Sequence, residues 1–218
     1  MAALSYRLLD GMALSLNVAV VGAGNIGGTL GRAFARAGHK VTFGVRDPAA
    51  SGAAAVAADS GADVATVARA LVGAEVVVLA LPGNVVEPFL RQHAAALESL
   101  LIVDATNRIG GPGPAHSRDA VLAAVPTARY ARAFNCIGWE NFAEPQFGDR
   151  AADLFFSADE EDRPLVAALI SAVGLRPAYV GADQHDVVDG VLRLWFALAV
   201  GQRRGRRLAF RVLDASDD

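Results

Sequence analysis

Apolar, β-branched residues gather along the first two thirds of the chain in short uninterrupted runs. Asn17–Val21 (NVAVV) and Lys40–Val45 (KVTFGV) come first. Residues 75–81 (EVVVLAL), 101–105 (LIVDA) and 129–134 follow. Runs this short, bounded by glycine or polar residues, predict strands buried on both faces. Helical spacing over 29–37, ended by Gly38, over 63–72 and over 85–97 fills the intervals. Apolar strands alternating with helices predict an α/β fold, a Rossmann-type doubly wound parallel sheet. The GGPGP segment at 110–114 predicts a rigid loop.

From about residue 150 the pattern changes. Residues 152–157 (ADLFFS) and 175–180 predict strands, 159–173 a helix, and 186–201 a strongly apolar helix. Residues 203–213 alternate charged and apolar groups and fit strand or helix. This predicts a small C-terminal α+β domain. The chain then divides into an extension at 1–15, a Rossmann domain at 16–150 and the small domain at 151–218, packed together through 138–147. The apolar helix carries Val188, Val191, Leu192, Trp195, Phe196 and Ala199 around much of its circumference. That is more than one face of a small domain covers, which predicts a homodimer built on it, with a helix buried inside the chain as the alternative.

The most informative motif sits directly after the first strand. Gly22, Gly24 and Gly27 form G-x-G-x-x-G, with a helix following. Gly22 permits the tight turn, Gly24 lets backbone approach a pyrophosphate, and Gly27 lets helix and strand pack closely. The helix N-terminus then offers free N–H groups to phosphate. At the end of the second strand, where an NAD enzyme places a carboxylate for the ribose, the chain reads FGVRDP. Arg46 suits a 2′-phosphate and predicts NADP(H), with Asp47 on the ribose as the competing reading. Ligands of open α/β sheets lie outside the carboxyl ends of the strands. The site is therefore expected among Ala80-Leu81-Pro82, Ala105-Thr106-Asn107 and Asn135-Cys136-Ile137.

Composition narrows the class. Of 218 residues, 53% are hydrophobic and 20% charged, which excludes a disordered chain. A single cysteine, Cys136, excludes a disulfide framework or multi-cysteine metal site and fits a reduced, cytoplasmic location. A net charge of −3 gives no global field for nucleic acid. No apolar run approaches the ~20 residues a membrane span needs. Arg7 and Asp10 interrupt what would be the apolar core of a secretion signal.

No acid–base set or metal-ligand cluster stands out. His39, His93 and His116 read as solvated, and His185, beside Asp183 and Asp186, as an N-terminal helix residue with a proton donor as the lesser alternative. Cys136 has no nearby histidine and reads as a small lining residue, not a nucleophile. Glu160-Glu161 opens a helix. This suits hydride transfer, which needs two rings held face to face and little from side chains.

VVGAGNIGGTLGRAFARAGHKVTFGVRDP, LALPGNVV, IVDATN, ARAFNCIGWENF, ADLFFSADEED and VLRLWFALAVGQ, in that order, resemble the NADPH-dependent coenzyme F420 reductases and their short bacterial relatives; the N-terminal domain of the STEAP metalloreductases is also similar. The resemblance spans residues 17–213. It implies a Rossmann domain with a small C-terminal domain, a cleft between them, and dimerisation through C-terminal elements. It places Asn25 and Ile26 on the pyrophosphate, Val45 and Arg46 on the 2′-phosphate, Leu81, Pro82 and Asn107 beside the nicotinamide, and Asn135, Cys136 and Ile137 beside coenzyme F420. Two positions depart from the archaeal pattern. Asn135 replaces a histidine, and Asp47 replaces a second basic residue. The expected activity is hydride transfer between NADP(H) and F420, with small molecules as the only other partners. The alternatives are an NADPH-dependent reductase of an imine, flavin or small carbonyl, and a nucleotide-binding module without turnover.

Overall fold

The computed structural model describes residues 15–49, 51–110, 113–213 and 215. The predicted extension therefore lies outside the described residues except for Ser15, as do Gly111 and Pro112 of the 110–114 loop.

One sheet runs through the molecule. Its strands are β1 (Asn17–Val21), β2 (Lys40–Val45), β3 (Asp63–Thr66), β4 (Val76–Leu79), β5 (Leu101–Asp104), β6 (Arg129–Arg132), β9 (Asp153–Ala158) and β10 (Arg176–Tyr179). Their order is β10-β9-β6-β5-β4-β1-β2-β3. The six from β1 to β6 are parallel; β9 joins β6 antiparallel, and β10 joins β9 parallel. A hairpin of β7 (Gln146–Phe147) and β8 (Arg150–Ala151) stands apart. The domain boundary expected at 150/151 falls inside this hairpin, and the segment beyond it extends the Rossmann sheet and shares its core.

The period of two along the central strands divides the core. Val18, Val20, Val76, Val78, Leu101 and Val103 face one side. There they meet Leu30 and Phe34 of α1 (Asn25–Arg36), Leu165 and Leu169 of α7 (Arg163–Ala172), and Val188, Leu192 and Trp195 of α8 (His185–Phe196). Ala19, Val21, Val77, Leu79 and Ile102 face the other. They meet α3 (Val67–Ala70), α4 (Val86–Leu97) and α5 (Arg118–Ala124). Burial on both faces is the doubly wound arrangement the apolar runs predict. Remaining helices are α2 (Ser51–Ala58) and α6 (Glu140–Ala143), and a π-helical turn, Ala197–Gly201, ends α8.

Four expectations change. Helix α1 begins at Asn25, inside the glycine motif, not at 29. The 63–72 stretch is an edge strand, β3, then one helical turn. Residues 203–213 form neither helix nor strand, apart from one bridge of Phe210 to Asp153. The apolar girdle of α8 also finds its cover inside the chain, since Val188, Leu192, Trp195 and Ala199 are buried. Exposed apolar side chains there are Val187, Leu194 and Val200.

Candidate functional site

The glycine turn shows why each glycine stands where it does. Gly22 adopts φ +102°, and a Cβ there would lie 2.5 Å from the Ala80 carbonyl oxygen. A Cβ on Gly27 would lie 1.9 Å from the Gly22 oxygen. Both positions are closed by the protein itself. Gly24 differs: its backbone is extended, and a Cβ would meet nothing within 4 Å. Gly24 is also the N-cap of α1, with no side-chain cap and no acid in the first turn. The donors of that turn therefore open onto unfilled space. An uncapped helix start behind a vacant glycine can take an anion, and a dinucleotide pyrophosphate fits it.

The end of β2 lies alongside. Val21 is in register with Gly44, and the Gly22 amide donates to the Gly44 carbonyl at 3.1 Å. Val45 and Arg46 thus leave the strand next to the first glycine. Arg46 is exposed and makes no ion pair among the described residues. Asp47 uses one carboxylate oxygen to cap its own turn, accepting from the Ala49 amide at 2.9 Å.

Across the carboxyl ends of β1, β4, β5 and β6 lies a cleft of about 460 Å³. Gly24, Asn25 and Ile26 form one wall. Leu81, Pro82, Asn107, Asn135 and Ile137 form the floor, with Ala80 and Ala105. Trp139, Leu192, Trp195, Phe196 and Arg206 form the far wall. Ten of the residues expected at the site therefore converge, while Thr106 is buried beneath the floor and does not line it. Gly22 and Gly27 shape the turn behind them, and Val45 and Arg46 stand further along it.

Cys136 corrects the expectation. Its side chain is fully buried in the core and its thiol donates to the Phe155 carbonyl at 3.8 Å. It does not line the cleft. Burial pushes the thiol up to about 11, which keeps it protonated and unreactive. The cause lies one step earlier. Phe134, clamped between Phe34 and Phe142, adopts φ +59°. A bulky residue in the left-handed region is strained and breaks the strand's alternation.

The floor rests on a buried charged network that the sequence did not announce. Arg132, fully buried, donates from Nε and Nη2 to Asp189 Oδ1 of α8 at 2.9 and 2.7 Å. Its Nη1 donates to the carbonyls of Asp104 and Thr106, and Nη2 also to Asn107 Oδ1 at 3.0 Å. With its amide oxygen turned toward Arg132, Asn135 accepts at 2.9 and 3.2 Å. Asn107 Nδ2 donates to the Asn135 carbonyl at 3.1 Å. Asp189 Oδ2 takes the amides of Ala115 and His116, and Asp104 takes Thr106, Ser117 and the Tyr130 hydroxyl. Every carboxylate oxygen is thus occupied. Asp189 has no lone pair to spare for a metal, although His116, Asp186 and Asp189 lie close together. The available signal was a carboxylate at position 189, on the same helical face as His185, Leu192 and Trp195.

The histidines differ too. His39 and His116 are buried, not solvated, and the His39 ring accepts from the Leu16 amide at 3.3 Å. His185 opens α8 as expected, but buried against Tyr130 and His116. Burial first, then the Arg118 charge, lowers it to about 4. The unfolded chain takes up this proton near the ordinary 6.5 and the folded protein does not. Stability should therefore decline as pH falls from 6.5 toward 4, read as a falling urea midpoint. A midpoint constant over that window would contradict the burial.

Residues 17–108 match the family profile described as NADP oxidoreductase, coenzyme F420-dependent. This segment is therefore similar to the NADP oxidoreductase domains of that family. No curated protein sequence matches the chain. Among solved structures, a provisionally assigned F420-dependent NADP-reductase from Arthrobacter sp. FB24 superposes with TM-score 0.78 at 22% identity, over 92% of this chain and all of that one. A hypothetical protein, SMa0349, from Sinorhizobium meliloti gives TM-score 0.66 at 28% identity, over 78% and 86%. An imine reductase from Bacillus cereus gives 0.67 at 19%, over 85% of this chain but 62% of the longer enzyme. The oxidoreductase thus shares its fold with two kinds of reductase, and the family domain covers the glycine turn, β2 and the floor as far as Asn107. Among its described residues no helix is long and apolar enough to cross a membrane.

Proposed function

We propose that this oxidoreductase moves hydride between NADP(H) and coenzyme F420, and that it does so by placing the two rings. The observation that carries this reading is the cleft itself. It joins the open start of α1 to an aromatic wall, and among the described lining residues Arg206 alone is charged. Gly24, Asn25 and Ile26 would receive the pyrophosphate. Val45 and Arg46 would flank the 2′-phosphate, and Leu81, Pro82 and Asn107 the nicotinamide, which supplies the hydride. Asn135 and Ile137 would set the plane of the second ring, with Trp139, Trp195 and Phe196 behind it. Asn107 and Asn135 are already fixed through Arg132, so the floor is preorganised.

The same arrangement weighs the other acceptors. A carbonyl becomes an alkoxide on reduction and needs a proton donor beside it, which this lining does not provide. A planar heteroaromatic ring, or an imine that arrives protonated, needs none. NADPH oxidation should therefore be fastest with F420, measured side by side with a flavin, a cyclic imine and a small ketone. Binding of NADPH without its oxidation by any of them would overturn the enzymatic reading.

NADP preference should reside in Arg46. Arg46→Ala removes charge-assisted bonds of about 1.5–3 kcal/mol and should raise the NADPH dissociation constant ~10- to 100-fold. NADH binding should hardly change. Equal titrations of wild type and variant with NADPH would contradict the assignment. The reading includes a cytoplasmic location. It also includes a homodimer across the exposed Val187, Leu194 and Val200; a monomer mass at micromolar concentration would overturn that.

A further inference from the structure

The chain past α8 does something a Rossmann sheet does not require. It turns back past the far wall of the cleft, to which it contributes Arg206, as an irregular strap and is tied down there. Asn141 Nδ2 donates to the carbonyls of Arg206 and Leu208, at 3.0 and 3.2 Å. Trp195 Nε1 donates to Leu208 at 2.7 Å, and the Asp153 amide to Phe210 at 2.9 Å. Asn141 is fully buried, so this anchor is part of the core.

The strap delivers one side chain to the cleft wall. The Arg206 guanidinium lies over the Trp195 ring, 5.3 Å from its centre, and its Nε donates to Glu140 Oε1. Burial would raise the Glu140 carboxyl, but the bond from Arg206, a backbone N–H bond and the charges of Arg206 and Arg207 together outweigh it and hold the group below its ordinary value, hence ionised. Stacking and ion pair together fix the plane of the fork. Its Nη1 and Nη2 edge makes no hydrogen bond among the described residues, and the side chain is 49% exposed.

We propose that Arg206 is an anion-binding residue of the cleft, its free Nη edge taking a phosphate or carboxylate oxygen of a bound ligand. A guanidinium held at Nε and stacked on an indole loses little freedom when its outer edge binds. Its planar fork matches two oxygens of one such group. Two sources of that anion are compatible with its position: the pyrophosphate of the nucleotide, received by Gly24–Ile26 on the facing wall, or an acidic substituent of the hydride acceptor. The proposal rests on reading the cleft as the hydride-transfer site.

The test uses Arg206→Gln and Arg206→Lys in the full chain, with dissociation constants from equilibrium titration. One arm titrates NADPH. The other titrates coenzyme F420, and its deazaflavin chromophore without the phosphate-and-glutamate tail, into protein saturated with NADP+. Arg206→Gln should weaken the anionic ligand by about 10-fold or more, with partial recovery in Arg206→Lys, both variants being folded at the titration temperature. A shift in the NADPH arm assigns the anion to the nucleotide. A shift for F420, but not for its tailless chromophore, assigns it to the acceptor. Changes below about twofold in both arms overturn the proposal. If the wild type binds NADPH but not F420, the acceptor reading fails by itself, and the NADPH arm still decides Arg206.

Discussion

Gly24→Val should leave the protein folded and abolish its grip on NADPH. The backbone at Gly24 is extended, a conformation valine adopts readily, and a Cβ meets nothing within 4 Å. The melting temperature without ligand should therefore stay at the wild-type value. The added methyls fill the space over the first turn of α1 that a pyrophosphate needs. We expect the NADPH dissociation constant to rise on the order of 100-fold, equivalent to ~2.7 kcal/mol. Gly27→Ala supplies the contrast. Its Cβ would lie 1.9 Å from the Gly22 oxygen, so α1 must move away from β1 and the apoprotein itself should melt lower. Fluorescence titration and thermal melts of the two variants separate a ligand-reserved glycine from a packing glycine. Undiminished NADPH affinity in Gly24→Val would remove the dinucleotide reading.

Arg132→Met should be the most damaging single change outside the glycine turn. It leaves Asp189 and Asp104 buried with their cation gone, and breaking a buried pair from one side costs about 3–5 kcal/mol. Against a typical domain stability of ~5–15 kcal/mol, that is a large share. Removing Asp189 as well should return part of it, because one uncompensated buried charge is gone, while the Ala115 and His116 amides lose their acceptor and Asp104 keeps its charge. Arg132→Met with Asp189→Leu should therefore unfold in urea well after Arg132→Met alone. It should still turn over slowly, because Asn107 and Asn135 lose the guanidinium that fixes them. A single variant as stable as the wild type would contradict the network's role, and so would a double variant with full turnover.

The parts of the fold legible in the sequence are those governed by local rules. Asn17–Val21 and Lys40–Val45 were readable to the residue, because strands buried on both faces leave unbroken β-branched runs ended by glycine or polar residues. β3 was not. DVATVARALV holds five helix formers against four strand formers, and only pairing with β2 at the sheet edge makes its first four residues a strand. The cleft floor was legible through the topological rule for open sheets, which needs no side-chain detail. What that rule could not give is direction. It placed Cys136 with its neighbours, and the strained turn at Phe134 sent the thiol into the core. The Arg132–Asp189 pair was hidden for another reason. Its members stand 57 residues apart, and each resembles an ordinary surface charge until strand and helix are docked.

Isotope transfer distinguishes direct hydride transfer in this cleft from any exchange through solvent. The protein is incubated with NADPH carrying deuterium at the transferring position of nicotinamide C4 and with oxidised coenzyme F420, and the reduced F420 is weighed by mass spectrometry. Direct transfer gives one deuterium per reduced molecule, with the label retained when the buffer is ordinary water. Oxidised nicotinamide appearing while the F420 product carries only solvent hydrogen, or NADPH bound with neither molecule changed, would contradict it.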